Sequence, residues 1–264
     1  MAAPSVFETI EANKHSGRGT LVAYLPLGFP NVATSVEAAV AALDNGADVL
    51  ELGIPYSDPV MDGPVIAEAT HEALDGGVRL ADTFTAVGEI VARTHKPVLV
   101  MTYWNPVLQY GVDRFAKDLK DAGGAGLITP DLIPDEAAEW LSVSDDVGLE
   151  RVFLAAPSST EERLGNSTKV SNGFVYAVST MGITGARSDV DSAAKSLVER
   201  LRAVGAQSVC VGLGISTAEQ VRDVLGYADG AIVGSALVSA LREKGVEGVA
   251  ELAVSLATGH RIPQ

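Results

Sequence analysis

The sequence predicts an α/β fold of the (β/α)8 or TIM-barrel type, and three observations lead to that prediction. Short runs rich in β-branched and aliphatic residues occur eight times, and longer amphipathic segments separate them. Most of these runs are continuously apolar, which is typical of parallel strands covered by helices. Eight such units in a chain of 264 residues fit a closed barrel better than an open doubly wound sheet.

The predicted strands follow one another along the chain as TLVAYLPL (20–27), DVLELGI (48–54), PVLVMTY (97–103), AGLITP (125–130), RVFLAA (151–156), FVYAVS (174–179), SVCVGLG (208–214) and GAIVGS (230–235). The segment before the first strand predicts an extra N-terminal helix. Residues 64–94 are long enough for two helices after the second strand. No linker or low-complexity tract interrupts the pattern, so residues 1–264 are expected to form one domain.

The ends of the helices also carry sequence signals. Three pairs have the spacing of a capping box, in which a hydroxyl side chain is followed three residues later by glutamate. The pairs are Thr34 with Glu37, Ser159 with Glu162, and Ser216 with Glu219. The glycines in DNGADV and DAGGAG each follow an amphipathic stretch, and this position favours a helix C-cap.

Composition and charge exclude several classes of protein. The formal net charge of -15 disfavours nucleic acid or an anionic membrane surface as a partner, because either would repel the chain. No signal peptide and no apolar run long enough to span a bilayer is evident. The single cysteine, Cys210, excludes an intrachain disulfide framework and is expected to be a buried, inert thiol. These features together predict a cytoplasmic protein.

The second predicted strand places an acid where a buried side chain is expected. Side chains alternate along DVLELG, so that if Leu50 and Leu52 face the helices, Val49 and Glu51 point into the barrel. Partial desolvation there would raise the pKa of Glu51 toward neutrality, where a carboxyl group can both give and take a proton. The alternative is an inward glutamate satisfied by backbone donors or water.

Two further acids follow Glu51 in the loop SDPVMDGP. Asp58 precedes a proline and Asp62 precedes a glycine, and both arrangements are common in turns. The residue pattern alone therefore leaves open whether either acid has a chemical role.

Other chemistries of barrel enzymes are disfavoured by where the reactive side chains lie. The lysines are Lys14, Lys96, Lys117, Lys120, Lys169, Lys195 and Lys244, and the histidines are His15, His71, His95 and His260. None follows a predicted strand at its carboxyl end, so a Schiff-base lysine and a histidine metal centre are both disfavoured, and no metal is expected. Carboxylate acid/base chemistry remains, with Tyr24, Tyr103 and Tyr176 nearby in or at the ends of strands. Core packing is the alternative for each tyrosine.

Three glycine-rich segments predict an anion site. STMGITGARS (179–188) follows the sixth strand, VGLGIS (211–216) closes the seventh, and VGSALV (233–238) follows the eighth and opens a helix. Backbone N–H groups without Cβ obstruction and the positive end of a helix dipole favour phosphate. The candidate phosphate-binding residues are Gly185, Gly214, Gly234 and Ser235.

The motifs taken together closely resemble the tryptophan synthase alpha chain family. They are ELGIPYSDPVMDGP (51–64), LGFP after the first strand, PDLIPDEA after the fourth, GITGAR after the sixth and GAIVGSALV at the eighth. They occur in the family's order over essentially the whole chain. Three short segments depart from the usual pattern, namely PVMDGP, PLG and STMG, and none of them changes Glu51 or Asp62.

The resemblance implies a lyase of L-tryptophan biosynthesis that splits indole-3-glycerol phosphate into indole and glyceraldehyde 3-phosphate. Glu51 and Asp62 would be the catalytic pair, in which Glu51 protonates indole C3 and then accepts the proton of the glycerol hydroxyl. Asp62 would accept a hydrogen bond from the indole N–H. Tyr176, with Tyr24 and Tyr103, would line the indole pocket.

The resemblance also implies a moving segment and a partner. STMGITGARSDV would close as a lid, with Thr184 fixing Asp62. No cofactor is expected in this chain, whereas a beta chain carrying pyridoxal phosphate would receive the indole in an alpha2-beta2 tetramer. Pro55, Asp58 and Trp104 are the candidate contacts with that chain, since Trp104 sets a large apolar side chain on a loop. Packing within its own loop is the alternative for Trp104.

Two other functions stay open at this point. Another phosphate-binding barrel of the same pathway, such as an isomerase or indole-glycerol-phosphate synthase, shares the glycine motifs, although the absence of strand-end lysines weighs against the synthase. A non-catalytic binding or activating subunit with the same fold is the third possibility. An intact Glu51 and Asp62 argue against it.

Overall fold

The computed structural model describes residues 5–178, 187–212 and 214–260, with the backbone alone for residues 187–191. Its eight parallel strands form a closed barrel in chain order, and the last strand pairs with the first. The predicted fold class is therefore confirmed. Whether the whole chain forms a single domain stays a prediction.

The strands are β1 Thr20–Pro26, β2 Val49–Gly53, β3 Val98–Met101, β4 Gly126–Thr129, β5 Glu150–Ala155, β6 Val175–Val178, β7 Val209–Gly212 and β8 Gly230–Val233. The helices are α1 Val6–His15, α2 Val32–Asp44, α3 Pro64–Asp75, α4 Asp82–Thr94, α5 Trp104–Tyr110, α6 Val112–Asp121, α7 Ala138–Val147, α8 Glu161–Val170, α9 Arg187–Ala203, α10 Ala218–Leu225 and α11 Ser235–Ala257. A short 3₁₀ turn spans Pro134–Glu136. The N-terminal helix and the two helices after the second strand are thus confirmed.

The three predicted capping boxes are wrong, although helices do begin close to each of them. Asn31 caps α2 by accepting from the Thr34 amide at 2.9 Å. Thr160 caps α8 and Thr217 caps α10, each one residue after the predicted serine. Asparagine and threonine oxygens accept the same backbone bond as serine, so neighbouring polar residues compete for the cap position.

The predicted glycine C-caps are confirmed at two places. Gly46 follows α2 with a φ of 128°, and Gly123 follows α6 with a φ of 86°. A side chain would be strained in this region of backbone space, whereas glycine is not. Each turn leads directly into the next strand, β2 or β4, and so sets where that strand begins.

Alternation along the strands divides the apolar core into two clusters. The inner cluster takes one side chain from each strand position around the barrel: Val22, Val49, Leu99, Ile128, Val152, Phe174, Cys210 and Ile232. The outer cluster holds Leu50, Leu52 and the side chains of the surrounding helices. The predicted inward direction of Val49 and outward direction of the two leucines are confirmed.

Helix α1 closes the amino-terminal end of the barrel. Val6 and Ile10 lie one turn apart on it and pack into the inner cluster. The Glu150 carboxylate at the start of β5 accepts the amides of Val6 at 2.7 Å and Phe7 at 2.9 Å. These bonds satisfy two N–H groups that a helix start leaves unpaired, and they fix the helix in place. The opposite, carboxyl-terminal end is the one left for a ligand.

In the parts of the chain that the structure describes, no helix combines the length and apolar character needed to cross a membrane.

Candidate active site

Glu51 lies inside the barrel near its carboxyl-terminal end. It is the third residue of β2 and is in register with Tyr24 on β1 and Leu99 on β3. Its side chain follows that of Val49 on the inner face, because side chains two residues apart on a strand share a face. The residue is fully buried.

The Glu51 carboxyl group has no hydrogen-bond partner among the described residues, at either oxygen. Burial alone raises its pKa to about 8, since the low-dielectric interior disfavours the charged form. The expected inward acid with a raised pKa is therefore present, and none of the described backbone groups satisfies it. A group with this pKa can exchange a proton near neutral pH.

Asp62 lies in the loop between β2 and α3, where Tyr103 holds it. The Tyr103 hydroxyl accepts from the Met61 amide at 2.9 Å and donates to the Asp62 carboxylate. Burial raises the pKa of Asp62, and the bond from Tyr103 opposes that rise. Asp62 is thus fixed by Tyr103, a residue that follows β3. An aspartate that served only to form a turn would not require such a partner.

Tyr24 is buried and Tyr176 is partly buried, and both lie within reach of the Glu51 charge. Burial raises the pKa of each phenol well above its ordinary value, and the negative charge of Glu51 raises it further. Both tyrosines therefore stay neutral and can donate hydrogen bonds. Tyr103, whose ring lies 5.2 Å from that of Tyr56, is the third tyrosine at this end of the barrel.

Two glycines that the sequence did not single out make room for these hydroxyls. A methyl group at Gly53 would lie 2.5 Å from the Tyr24 hydroxyl, and one at Gly212 would lie 2.6 Å from the Tyr176 hydroxyl. Neither position tolerates a side chain without moving a tyrosine. A sequence signal could have found Gly53. It lies two residues after Glu51 and therefore on the same face of β2.

The described phosphate candidates lie where parallel strands end. Gly214, two residues past β7, has a φ of 65° and open space at its Cβ position. Gly234 caps α11 and Ser235 is its first residue. The first amides of α11 have no partner within the helix, which favours an anion at this end. Gly234 also packs against Tyr24, because a methyl group there would lie 3.2 Å from the ring.

Two predicted site residues, Thr184 and Gly185, lie outside the described residues. The predicted lid falls on the same segment, at 179–186.

The three candidate partner contacts differ in exposure. Asp58 is exposed, and its carboxylate accepts from the Ser57 hydroxyl at 2.6 Å. Pro55 is buried within the chain. Trp104 is partly buried, and its ring lies edge-on to that of Trp140 at 6.4 Å. The ring thus packs on α7 and not within its own loop, and contact of Trp104 with a partner stays a prediction.

Three exposed apolar side chains that were not predicted individually lie on the same rim. Val60 is 70% exposed, Leu108 48% and Ile133 41%. The three segments that carry them are joined: Asn105 Nδ2 donates to the Tyr56 hydroxyl at 3.4 Å, and the Trp104 amide donates to Asp131 at 2.8 Å. Val60, Leu108 and Ile133 are called the rim patch below. Exposure depends on the fold, so no local sequence signal would have found them.

The reactive side chains outside this cluster are used elsewhere. Cys210 is buried in the inner cluster, and burial raises the pKa of its thiol well above the ordinary value, as expected of an inert cysteine. Lys96 precedes β3 at the amino-terminal end, where its ammonium donates to the Ala47 carbonyl at 2.8 Å. Within 5–178, 187–212 and 214–260, no group of three or more His, Cys, Asp or Glu side chains could hold a metal ion.

Comparison with known proteins agrees with this geometry. The family model described as "Tryptophan synthase alpha chain" matches residues 10–259. A tryptophan synthase alpha chain from Leifsonia xyli subsp. xyli is 65% identical over 254 residues, which are 96% of this chain and 97% of that one. The structure of Mycobacterium tuberculosis tryptophan synthase in space group F222 superposes with a TM-score of 0.92 at 51% identity, covering 99% and 100% of the two chains.

A more distant structure has the same fold. A chain of the tryptophan synthase complex from Pyrococcus furiosus superposes with a TM-score of 0.82 at 34% identity, over 91% of this chain and 98% of that one. The likeness therefore extends from close relatives to distant ones and covers the barrel from end to end. By sequence and by structure alike, the chain belongs to the tryptophan synthase alpha chain family.

Proposed function

We propose that Glu51 and Asp62 are the catalytic pair with which this alpha chain cleaves indole-3-glycerol phosphate. Membership of the family makes the chain a carbon–carbon lyase of L-tryptophan biosynthesis that releases indole and glyceraldehyde 3-phosphate. The observation that carries the assignment of the pair is the fully buried Glu51 carboxyl group, without a described hydrogen-bond partner and with a pKa of about 8. A structural acid would not be left in that state.

Glu51 has the properties that the two proton transfers need. Protonation of indole C3 by neutral Glu51 makes the ring cationic, so that it can accept the electrons of the breaking bond. The resulting carboxylate takes the proton from the hydroxyl on the adjacent glycerol carbon. The electrons of the former O–H bond then form the C=O double bond of the aldehyde, the carbon–carbon bond breaks, and its electron pair returns to the indole ring. Glu51 ends protonated, ready for the next turnover.

Asp62 stabilises the charge that develops on the indole. An ionised Asp62 accepts from the indole N–H, whose acidity rises when C3 is protonated, and so lowers the energy of the cationic intermediate. Tyr103 fixes the carboxylate beforehand through the bond described above. A charge that is already oriented costs little reorganisation during the reaction.

The rest of the pocket binds the two ends of the substrate. Tyr24, Tyr103 and Tyr176 line the indole site, and the phosphate lies on Gly214, Gly234 and Ser235 at the start of α11. Backbone amides and the helix dipole bind the anion locally, which suits a chain whose net charge is -15. Thr184 and Gly185 stay predicted members of the lid and of the phosphate site, respectively.

The test is release of indole from indole-3-glycerol phosphate by the purified chain. We expect Glu51→Gln and Asp62→Asn each to lower kcat by roughly 10²-fold or more, which is typical for the loss of an acid/base group. Glu139→Gln, at an exposed glutamate on α7, is the matched control and should turn over as the wild type does. Near-wild-type kcat in both site variants would refute the assigned mechanism. Absence of indole release by the wild type would point instead to a binding subunit.

The partner we propose is a tryptophan synthase beta chain that carries pyridoxal phosphate, in an alpha2-beta2 tetramer, with no cofactor in the alpha chain itself. Both chains would act in the cytoplasm. The rim patch supports this proposal because exposed apolar side chains on three joined segments form a surface suited to a protein partner. Asp58 and Trp104 lie on the same segments, and Pro55 contributes through the shape of its loop.

The docking surface can be tested by charge insertion. Leu108→Glu should weaken co-purification with the beta chain and reduce its activation of the lyase, while leaving the intrinsic activity of the alpha chain unchanged. Val254→Glu is the matched control, since Val254 is 51% exposed on α11, away from the three joined segments. Equal effects of the two variants on co-purification would argue against the rim patch.

A further inference from the structure

Tyr24 lies beside Glu51 on the neighbouring strand, β1. Its Cα is in register with that of Glu51, and its hydroxyl rests on Gly53, one strand repeat nearer the open end of the barrel. The Tyr24 side chain is buried. The hydroxyl therefore lies along the path from the Glu51 carboxyl group to the mouth of the pocket, where the substrate enters.

The charges of both acids act on the Tyr24 phenol. Burial, then the charge of Asp62, then that of Glu51 raise the pKa of Tyr24, so the phenol senses both acids and stays protonated. Tyr176 senses Glu51, and Asp62 does not contribute to its shift. Tyr103 is already bonded to the Met61 amide and to Asp62. Tyr24 is thus the described tyrosine whose pKa both charges raise and whose hydroxyl is not engaged in the loop.

The Tyr24 hydroxyl takes the space that a side chain at Gly53 would fill. Glu51 and Gly53 share the inner face of β2, so this hydroxyl lies above Glu51 on the side of the open end. In the described position the Glu51 carboxyl group has no hydrogen bond to any described group. To reach the hydroxyl, its flexible side chain would rotate toward the open end.

We propose that the Tyr24 hydroxyl is a positioning group that donates a hydrogen bond to the Glu51 carboxylate once Glu51 has protonated the indole. This inference rests on the proposed role of Glu51. The bond stabilises the buried carboxylate during the interval in which it carries charge, and it holds one oxygen toward the glycerol hydroxyl. Gly53 makes the arrangement possible, because any larger residue would displace the tyrosine. No proton leaves Tyr24, so the proton balance of the reaction is unchanged.

The test is Tyr24→Phe in the purified chain, with kcat and KM for indole release measured across the pH range. The ring and its packing remain, so we expect KM within about twofold of wild type and kcat lower by about 10-fold or more, as for loss of a hydrogen bond to a charged group. The donor favours ionised Glu51, so its loss should raise the apparent pKa of the kcat limb that reports on Glu51. A packing role alone would not shift that limb.

Two further variants make the outcome decisive. Tyr110→Phe removes a hydroxyl that donates to Asp118 at 2.6 Å on the outside of the barrel, so its kcat and pH profile should equal those of the wild type. Gly53→Ala pushes the Tyr24 hydroxyl aside and should lower kcat with the same direction of pKa shift. Unchanged kcat and pH limb in Tyr24→Phe, or a change confined to KM, would overturn the inference. If the wild type itself releases no indole, the proposed function fails first, and separately.

Discussion

Carboxylates at the two ends of the barrel differ in their hydrogen bonding. At the carboxyl-terminal end, neither Glu51 oxygen has a described partner. At the amino-terminal end, Glu150 accepts two backbone amides of α1. Asp48, which is more deeply buried than Glu150, accepts from Arg18 at 2.7 Å and from the Leu21 amide at 2.9 Å. The acids that hold the fold together are hydrogen-bonded, whereas Glu51, the proposed proton donor, has no described hydrogen bond.

His260 is a buried base that belongs to the amino-terminal end. It lies beside Asp48 and Arg18 at the amino-terminal end, with its ring nitrogen 3.0 Å from the guanidinium of Arg18. Burial lowers its pKa, and the neighbouring carboxylate opposes that shift. A buried titratable side chain is thus no evidence of catalysis by itself. Glu51 differs because no described hydrogen bond compensates for its burial. A buried acid in this state is a candidate for a chemical role.

The largest effect predicted from this contrast is on the pH dependence of stability. Between the ordinary carboxyl pKa and about 8, the unfolded chain has released the Glu51 proton and the folded chain has kept it. The free energy of unfolding therefore falls as pH rises through that window. Glu51→Gln removes the dependence, so its stability relative to wild type should rise by about 3–4 kcal/mol between pH 5 and pH 8.

Urea unfolding at several pH values measures this difference. Glu139→Gln, at an exposed position, should follow the wild-type pH dependence. Parallel curves for the wild type and Glu51→Gln would mean that Glu51 is compensated in the folded protein, and the contrast between the two ends would disappear.

A smaller effect is expected at the opposite end. Glu150→Ala leaves the amides of Val6 and Phe7 without their acceptor and loosens α1, so the free energy of unfolding should fall by about 1–3 kcal/mol. The kcat for indole release per folded molecule should not change, because α1 lies at the end of the barrel remote from Asp62. Denaturation of Glu139→Ala alongside it controls for loss of an unbonded glutamate. A large fall in kcat for Glu150→Ala would show that the two ends are not independent.

The smallest effect should come from the hydroxyl that holds Asp62. Tyr103→Phe removes the bond to Asp62 and the acceptor for the Met61 amide, so kcat/KM should fall by about 5- to 10-fold, or about 1 kcal/mol. Steady-state assays at saturating and limiting substrate would resolve it. Tyr110→Phe is again the control, and a loss of the same size there would indicate a general effect of tyrosine hydroxyls rather than support of the loop acid.

The sequence signals that predicted the fold correctly are patterns that recur every few residues. The eight strands and the inward direction of Glu51 follow from alternation within a few residues, which the chain carries wherever it folds. The capping boxes failed because several polar residues within one turn can fill the same role, and only the packed helix selects among them. Trp104 could not be assigned from sequence because its ring packs on Trp140, which belongs to α7.

The sequence by itself determined the alternation of strands and helices, the placement of Glu51 inside a barrel and the family resemblance. Only the tertiary structure decided that the Glu51 carboxyl group has no described partner, that Tyr103 reaches back to Asp62 and that Gly53 makes room for the Tyr24 hydroxyl. The physical reason is how far apart in the sequence the residues that set each property lie. Strand alternation is set by neighbouring residues, whereas burial, pKa and hydrogen bonding depend on groups that distant segments bring together.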